Sequence, residues 1–416
     1  MNRRANDSQG TAREALRDPG SERHSGADGG ARASERSVGL VSFATLFVIG
    51  TDTLLVAPLL PLLQRELGVD VARSGWLVSA YSLGYALFAL LAGPLSDRAD
   101  RRRVLLSGVV AFTIFTAACG AAWGFWSLFL MRLLAGVAAA FVTPQIWASI
   151  PMVVAPASVV RTMGYATAGL AVAQVAGIPL GSFLSAQGWR LPFFAIAVAS
   201  ALLWALLAAR FPSVPPSPTS ESRLFGAYAH VVRSRVLVLS LIAYLVFQLG
   251  NFTALSFVGT WFARDFGATQ NMIGWAMVVI GLGNAIGSLN GSRLVARVGA
   301  RPFHVGGIVA MAIVYGLSSF VSSLWAGALI VFGAMLVGGA LFPVLMAQLQ
   351  SHTTAARGTV SSLANAAMYA GTTIGGAVGG PLLTRFPGYS GVAMFAVAAY
   401  AASLAIYALA GAFRRE

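Results

Sequence analysis

The chain has 416 residues, of which 57% are hydrophobic and only 10% are charged, and its mean hydropathy is +0.75. Soluble domains carry about 25% charged residues, so this composition excludes a soluble globular enzyme and indicates a protein that crosses the membrane several times. The net charge of +14 comes from arginine, because the sequence contains no lysine. The single cysteine, Cys119, excludes an intrachain disulfide.

Apolar runs dominate the chain after a polar beginning. Residues 1–36 are rich in Arg, Ser, Gly, Asp and Glu, and they predict a disordered tail. Twelve later runs are each long enough to cross about 30 Å of hydrocarbon. They lie at 38–63, 74–96, 103–121, 126–150, 160–185, 190–211, 236–262, 271–292, 303–323, 325–350, 358–384 and 389–413. The sequence therefore predicts an all-α membrane protein with twelve transmembrane helices.

The distribution of arginine predicts the orientation in the membrane. Connections after odd-numbered runs hold few charges, whereas connections after even-numbered runs hold Arg98, Arg101, Arg102, Arg103, Arg161, Arg223, Arg233, Arg235, Arg293, Arg297, Arg301 and Arg357. The positive-inside rule places the arginine-rich connections and both termini in the cytoplasm. Topology thus accounts for the basic charge, and we expect the lipid bilayer, not nucleic acid, as a partner. The all-arginine, Ala- and Gly-rich composition is typical of a GC-rich bacterial genome and predicts the bacterial cytoplasmic (inner) membrane.

The second half of the chain echoes the first. A Pro/Ser-rich segment separates six runs from six, which predicts helix bundles at 37–211 and 236–416 joined by a cytoplasmic linker at 212–235. GPLSDRADRRR (93–103) parallels SRLVARVGARP (292–302), and GIPLG (177–181) parallels GGPLL (379–383). Two pseudo-symmetric six-helix halves, with a site near the bilayer midplane between them, are the architecture expected of a transporter.

These motifs resemble those of the major facilitator superfamily from about residue 38 to 413. GPLSDRADRRRVL is similar to the family's signature between spans two and three, and LFLMRLLAGVAAA (128–140) is similar to its span-four pattern. VAQVAGIPLGSFLSAQGWRLPFF (172–194) resembles the span-five signature of proton-driven exporters of the arabinose-efflux-like and drug-efflux-like permeases. GIPLG departs from the adjacent Gly-Pro and paired glycines of many drug exporters, which favours the sugar/drug efflux branch.

The resemblance implies a major facilitator fold and a secondary active transporter. This transporter would export a small organic solute, drug or sugar-like, in exchange for protons by rocker-switch alternating access, and it would function as a monomer. It would need no cofactor, because the proton gradient drives it. Two rivals stay open, a proton-coupled symporter for nutrient uptake and a non-transporting membrane receptor on the same scaffold.

Asp52 and Arg132 are the candidate proton-coupling residues. Asp52 is the only acid after the tail that lies deep within a predicted span, and a carboxylic acid at this depth is suited to take up and release a proton. Arg132 is the only arginine well within a span, and a cavity shared with Asp52 would relieve the burial of both charges. A tight pair would hold Asp52 ionised, so we expect separated or water-linked groups.

Alternatives exist for both residues. Asp52 could serve packing alone, and Arg132 could extend to the membrane interface near Trp123 and Trp126. The resemblance adds that the span-four arginine of this pattern is associated with proton handling in exporters of the family.

The connection between the second and third runs is a candidate cytoplasmic gate, made of Gly93, Asp97, Arg98 and Arg101. A carboxylate there can cap a helix and pair with guanidinium groups. The resemblance implies a latch that holds the two halves together on the cytoplasmic side, and the simpler alternative is a solvated charge run that sets topology. Ala296 stands in the second copy at the position of Asp97, so the two copies should not act alike.

Glycine and proline concentrate in the fifth and eleventh runs, where they predict bends and close helix packing. These residues are Gly177, Pro179, Gly181, Gly379, Gly380 and Pro381. Polar and aromatic residues scattered within other runs are candidates for the substrate cavity, since amides and phenols suit hydroxylated or heteroaromatic solutes. They are Tyr81, Tyr85, Gln145, Gln174, Gln248, Asn251, Asn284, Asn365 and Tyr369. Each could instead form an interhelical hydrogen bond.

Catalytic and ATP-driven functions find no support in the sequence. No metal-ligand spacing or Ser/His/Asp order occurs at membrane depth, which argues against an enzyme. No Walker signature occurs, which argues against an ATP-driven pump.

Overall fold

The computed structural model describes residues 21–97, 99–214, 231, 233–351 and 357–411. These residues form helices and short connections, and no β-strand occurs among them. The helices of the first half are α1 (Ser21–Leu67), α2 (Val71–Ser74), α3 (Trp76–Asp97), α4 (Arg101–Gly120), α5 (Phe125–Ala140), α6 (Thr143–Val153), α7 (Val159–Val172), α8 (Ile178–Ser185) and α9 (Leu191–Arg210). Those of the second half are α10 (Arg235–Phe266), α11 (Gln270–Val298), α12 (Ala300–Leu317), α13 (Leu324–Ser351), α14 (Arg357–Arg385) and α15 (Ser390–Leu409).

The predicted spans coincide with these helices. Within the described part of the chain, eleven helical stretches are long and apolar enough to cross a membrane. The remaining predicted span, 358–384, is the 29-residue α14, whose many Gly and Thr residues lower its hydropathy. This helix packs against α3 and α10, so protein and not lipid covers much of its surface.

Two spans are interrupted, and a proline accompanies each interruption. The fourth span divides into α5 and α6 at Phe141 and Val142, and Pro144 lies in the first turn of α6. The fifth span contains a π turn, Ala173–Gly177, in which the N–H of Ile178 donates to the carbonyl of Ala173. Pro179 follows, and because it has no N–H it cannot restore the α-helical hydrogen bond of that turn.

The first helix begins earlier than the sequence predicts. Residues 21–36, assigned by composition to a disordered tail, belong to α1, while residues 1–20 lie outside the described residues. Glu35 ties this region to the connection before α7. Its Oε2 accepts hydrogen bonds from Ser158 Oγ at 2.8 Å and from Arg161 Nη2 at 3.1 Å. The apolar span forms a helix, and the Ala, Arg and Glu residues before it can continue this helix toward the N-terminus, because they have high helix propensity.

The two halves contact each other at one end of the bundle, here named the sealed end, which comprises the connections 68–75, 267–269 and 386–389. A Cβ atom at Gly75 would lie 2.0 Å from the carbonyl oxygen of Gly376, so only glycine permits this approach of α3 and α14. Ser79 Oγ donates to the carbonyl of Thr373 at 2.6 Å. Among the described residues, hydrogen bonds between the halves lie at this end or near the middle of the spans.

Candidate functional site

Close packing of α3 and α5 builds the centre of the first half. A Cβ at Gly136 would lie 2.0 Å from the carbonyl oxygen of Tyr81, and a Cβ at Gly84 would lie 2.2 Å from that of Leu133. The two backbones therefore touch. Arg132, one turn before Gly136, is brought against the face of α3 that carries Tyr81.

Arg132 and Asp52 form a direct, buried ion pair. Arg132 Nη1 donates to Asp52 Oδ2 at 2.8 Å, and Nη2 donates to the backbone carbonyl of Asp52 at 3.3 Å. The exposed fractions of the two side chains are 1% and 0%. The expectation of separated or water-linked groups does not hold in this structure, and neither does extension of Arg132 to the interface. Burial without a partner would be too costly for either charge.

Tyr81 completes the surroundings of the ion pair. The guanidinium carbon of Arg132 lies 4.4 Å from the centre of the Tyr81 ring, which is a cation–π contact. The Tyr81 hydroxyl oxygen lies 3.1 Å from Thr53 Oγ1, with which it shares a hydrogen bond. Tyr81 was predicted to line the substrate cavity, but it is fully buried within the first half beneath Arg132.

The ion pair is only partly satisfied by hydrogen bonds. Asp52 Oδ1 and Arg132 Nε have no hydrogen-bond partner among the described residues. A partly satisfied buried network is poised to rearrange, because a new contact can offset the loss of an old one. The structure contains the paired arrangement, with one oxygen of the carboxylate and one nitrogen of the guanidinium left without a partner among the described residues.

The glycines of the fifth span bring that span against the helix of Asp52. A Cβ at Gly177 would lie 2.1 Å from Thr51 Oγ1, and a Cβ at Gly181 would lie 2.1 Å from Leu55 Cδ1. Pro179 lies between them, immediately after the π turn. The side chains of Thr51 and Leu55, on either side of Asp52, thus pack closely against the fifth span at positions where glycine leaves room for them.

Two glycines of the eleventh span pack against different parts of the molecule, one within the second half and one against the first half. A Cβ at Gly379 would lie 2.5 Å from the Phe257 ring within the second half. A Cβ at Gly380 would lie 2.6 Å from the carbonyl oxygens of Val71 and Ala72, so Gly380 belongs to the sealed end. The next residue, Pro381, lies within α14.

The predicted gate lies largely beyond what the structure describes. Arg98 and the side-chain environments of Gly93 and Asp97 lie outside the described residues, so the latch stays a prediction. Arg101 begins α4, and its N–H donates to the carbonyl of Val214 at 3.1 Å.

Asp100, which sequence reasoning missed, organises this connection. Its carboxylate accepts hydrogen bonds from Ser213 Oγ at 2.7 Å, Val214 N at 3.2 Å and Arg102 N at 2.9 Å. Burial alone would raise the pKa of Asp100, but the hydrogen bonds from Ser213, Val214 and Arg102 prevail and hold the pKa below its usual value. An aspartate directly before a helix is the sequence signal that could have identified it.

Two predicted cavity pairs join the halves. The rings of Tyr85 and Tyr369 stack with their centroids 3.8 Å apart. Asn284 Nδ2 donates to Gln174 Oε1 at 2.6 Å. Because each pair links one half to the other, these four residues lie at the interface between the halves.

The other predicted cavity residues are dispersed within their own halves. Gln248 Nε2 donates to the Tyr244 hydroxyl at 3.0 Å. Gln145 is 1% exposed, and its amide has no partner among the described residues. Asn251 and Asn365 are half-buried. The sequence could not separate these groups, since amides in apolar spans look alike whichever way they face.

A small cavity of about 40 Å³, partly open to its surroundings, lies between the halves. Its lining is apolar except for Gln174, and includes Leu54, Ala57 and Pro58 of α1 and Met277 of α11. Apolar walls with few polar groups are typical of sites for small organic molecules.

Sequence comparison identifies the family. The chain matches the Major Facilitator Superfamily over residues 42–257 and 240–416, and it therefore belongs to that superfamily. It is 44% identical over 366 residues to the uncharacterized MFS-type transporter YceJ of Bacillus subtilis (strain 168), covering 88% of this chain and 94% of the relative. It is 26% identical over 217 residues to Multidrug resistance protein 1 of the same organism, covering 52% of this chain and 55% of that protein.

Solved structures share the fold. A bacterial homolog of the human lysosomal transporter Spinster, inward-facing and occupied, matches with a TM-score of 0.73 at 17% identity, covering 90% of this chain and 96% of that one. A D-xylose–proton symporter matches with a TM-score of 0.72 at 16% identity, covering 89% and 97%. The predicted twelve-helix fold with two pseudo-symmetric halves is confirmed, and the protein is a membrane transporter, not an enzyme.

Proposed function

We propose that the protein is a proton-driven antiporter that exports a small organic solute, drug or sugar-like, across the bacterial cytoplasmic membrane by rocker-switch alternating access. The observation that carries the proposal is the fully buried Asp52–Arg132 ion pair, with a contact of 2.8 Å. Asp52 is the only acid after the predicted tail at membrane depth. It is therefore the natural carrier of the coupled proton.

The ion pair links protonation to conformation through charge balance. A proton on Asp52 would remove the counter-ion of Arg132, whose guanidinium stays charged in proteins. The Tyr81 ring and the Asp52 carbonyl would then be the closest contacts of the buried cation among the described residues. Since an uncompensated buried charge is strongly destabilising, the helices around it would favour a different arrangement when Asp52 is protonated.

The positive-inside rule supports an inward-facing assignment for this structure. The arginine-rich connections, and with them both termini, would lie in the cytoplasm, so the sealed end would face the outside. Proton entry would supply about 2.3 kcal/mol per charge for each 100 mV of membrane potential, in addition to the pH gradient. No cofactor takes part in this mechanism, and one chain contains both halves.

Two sequence observations support export over uptake. The fifth span resembles that of proton-driven exporters, and half of the chain is similar to a protein named for multidrug resistance. A nutrient symporter would use the same ion pair with the solute moving in the proton's direction. A receptor would show no solute flux and no dependence on Asp52.

Proton release from inverted membrane vesicles tests the proposal. Vesicles containing the wild type, Asp52→Asn or the control Asp265→Asn are given an acidic interior, and sugars, nucleosides and cationic drugs are added outside. We expect one solute class to raise the lumenal pH with the wild type and the control but not with Asp52→Asn. Asp265 is a suitable control because its partner is the neighbouring, partly exposed Arg264 at the sealed end.

The alternatives give different results in the same vesicles. A symporter would release protons only when the solute is loaded into the lumen. Equal proton release by wild type and Asp52→Asn at matched protein levels would contradict coupling through Asp52. Solute counterflow without a gradient verifies that Asp52→Asn is folded.

A further inference from the structure

The Asp52–Arg132 pair lies away from the cavity between the halves. On α1 the cavity is lined by Leu54, Ala57 and Pro58. At 3.6 residues per turn, residues 52 and 54 point about 160° apart around the helix. A solute in the cavity therefore does not touch the ion pair in this structure, and coupling needs a structural link between the two.

Three buried tyrosines provide a continuous contact from the ion pair to the second half. Tyr81 carries the Arg132 guanidinium on its ring at 4.4 Å and shares a hydrogen bond with Thr53, the residue after Asp52. Tyr85 lies one turn further along the same face of α3. Its ring stacks on Tyr369 of α14, with an interplanar angle of 22°.

The stack ends a row of contacts between α3 and α14. From the sealed end inward, this row passes from Gly75 and Gly376 to Ser79 and Thr373 and then to the tyrosine stack. Among the described residues, no hydrogen bond or ring stack joins these two helices nearer to the arginine-rich connections. Because Tyr81 lies between Ser79 and Tyr85 on α3, a rotation or tilt of α3 that follows a change at Tyr81 acts on the tyrosine stack as well as on the Ser79 contact.

We propose that the Tyr85–Tyr369 stack, together with Tyr81, transmits the charge state of the Asp52–Arg132 pair to the seal between the halves. The inference rests on the proposed proton coupling. When Asp52 is neutral, the Tyr81 ring becomes a main partner of the Arg132 cation, and the resulting shift of α3 changes the stack. The tyrosines are positioning residues, because they act through the movement of α3 and are not among the residues that line the cavity between the halves.

Few other groups could produce a pH response at this place. Arg132 from α5, Tyr81 from α3 and Cys119 from α4 are the charged or titratable side chains that interact with Asp52. Other helices packed against α1 carry their described charges at their ends, such as the Arg161–Glu35 and Arg264–Asp265 pairs.

A distance measurement across the sealed end tests the inference. Nitroxide labels are attached at neutral pH to Arg73→Cys and Arg385→Cys, two exposed positions in opposite halves, on a Cys119→Ser background. Distance distributions of the reconstituted protein are then recorded at pH 5.5 and pH 8.5. We expect the fraction of molecules with a separated seal to change at least threefold in this parent protein and to stay constant in Asp52→Asn.

Tyrosine variants then isolate the link. Tyr85→Leu and Tyr369→Leu should lose the pH response, whereas Tyr369→Phe, which keeps the ring stack, should retain it. Tyr315→Leu is the matched control, because Tyr315 is buried in the second half and stacks on Tyr400, outside the row of contacts between α3 and α14. It should respond like the parent.

The remaining outcomes separate failure of proton coupling through Asp52 from failure of the tyrosine link alone. If the parent and Asp52→Asn are both insensitive to pH, proton coupling through Asp52 fails, and the inference fails with it. If the parent responds, Asp52→Asn does not, and both Leu variants still respond, coupling stands and the tyrosine link is wrong. Loss of the response in Tyr315→Leu or Tyr369→Phe would also overturn the link, because the effect would not be specific to the stack.

Discussion

The two halves of the molecule use one helical plan but bury different polar groups. The register that aligns Asp97 with Ala296 aligns Asp52 with Asn251 and Arg132 with Val331. In the first half the ion pair is fully buried. In the second half the fully buried polar groups of the described residues are hydroxyls, an amide and an imidazole, with no carboxylate or guanidinium among them.

This difference separates what the fold needs from what transport needs. The second half forms a six-helix bundle without a buried ion pair, so the scaffold does not require one. Replacing a buried ion pair by apolar groups is often neutral or stabilising. The asymmetry therefore favours a functional reason for retaining Asp52 and Arg132, and it suggests that the first half responds to protons while the second half is the surface against which it moves.

Replacing Asp52 and Arg132 by the residues aligned with them in the second half, Asn and Val, should have the largest effect on stability. Asp52→Asn leaves Arg132 charged and unpaired, and we expect a loss of about 3–5 kcal/mol of stability. Arg132→Val should lose less, because Asp52 can accept a proton whereas arginine cannot release one. The double variant should recover most of the loss, as measured by thermal unfolding in detergent. A double variant as unstable as Asp52→Asn would contradict this account.

Adding one methyl group where α3 meets α5 should have the next largest effect. Gly136→Ala places a Cβ 2.0 Å from the Tyr81 carbonyl oxygen, and overpacking of this kind costs about 1–3 kcal/mol. Gly306→Ala in the second half is the control, because nothing lies within 4 Å of its added Cβ. Melting temperatures of both variants test this contrast, and equal values would show that the close approach is unimportant.

Removing single tyrosine hydroxyls in the second half compares the stability contribution of a hydrogen-bonded hydroxyl with that of one without a partner. The Tyr389 hydroxyl donates to the Ala254 carbonyl at 2.5 Å, so Tyr389→Phe should lose about 1 kcal/mol. The Tyr400 hydroxyl has no partner among the described residues, so Tyr400→Phe should be neutral or slightly stabilising. Unfolding measured on both variants under the same conditions compares them directly, and the opposite order would refute the assignment.

The smallest effect should come from the cap of α4. Asp100 caps α4 in the first half, whereas Gly299 precedes α12 without a side-chain cap. Because the pKa of Asp100 is lowered in the folded protein, its contribution is present above its unfolded pKa of about 3.9 and is lost as pH falls through the folded pKa. Solvent screening should keep this below about 1 kcal/mol.

Protease cleavage of the predicted linker, 212–235, measures the contribution of this cap. In the wild type, cleavage should accelerate as the pH falls through the folded pKa of Asp100, which lies below its usual value, because the protonated carboxyl group no longer holds Ser213 and Val214. Asp100→Gly introduces the residue that stands before α12 in the second half, and its cleavage rate should not show this acid-dependent increase. A wild type without this acid-dependent step would exclude Asp100 as the anchor.

The spans were predictable from sequence because apolar length alone specifies them. Twelve runs matched twelve helical spans within a few residues, since a segment of this hydropathy has no stable alternative to a helix in lipid. The start of α1 was not predictable, because polar residues that extend an existing helix carry no apolar signal.

The contacts of the candidate site were less predictable than its members. Asp52 and Arg132 stand out as isolated charges in apolar runs, but their direct contact depends on how closely Gly136 lets α5 approach α3. The same approach places the Tyr81 ring against the guanidinium of Arg132, a contact that the sequence did not predict. Asp100 was missed because its partners, Ser213 and Val214, are distant in sequence.

The π turn at Ala173–Gly177 also restricts how the gene can change. It gives the fifth span one residue more than a continuous α-helix needs between the same neighbours. Deleting one codon within this turn would therefore leave a continuous α-helix that keeps Gly181 against Leu55. Working descendants of this gene that lose one residue from the fifth span should lose it within this turn.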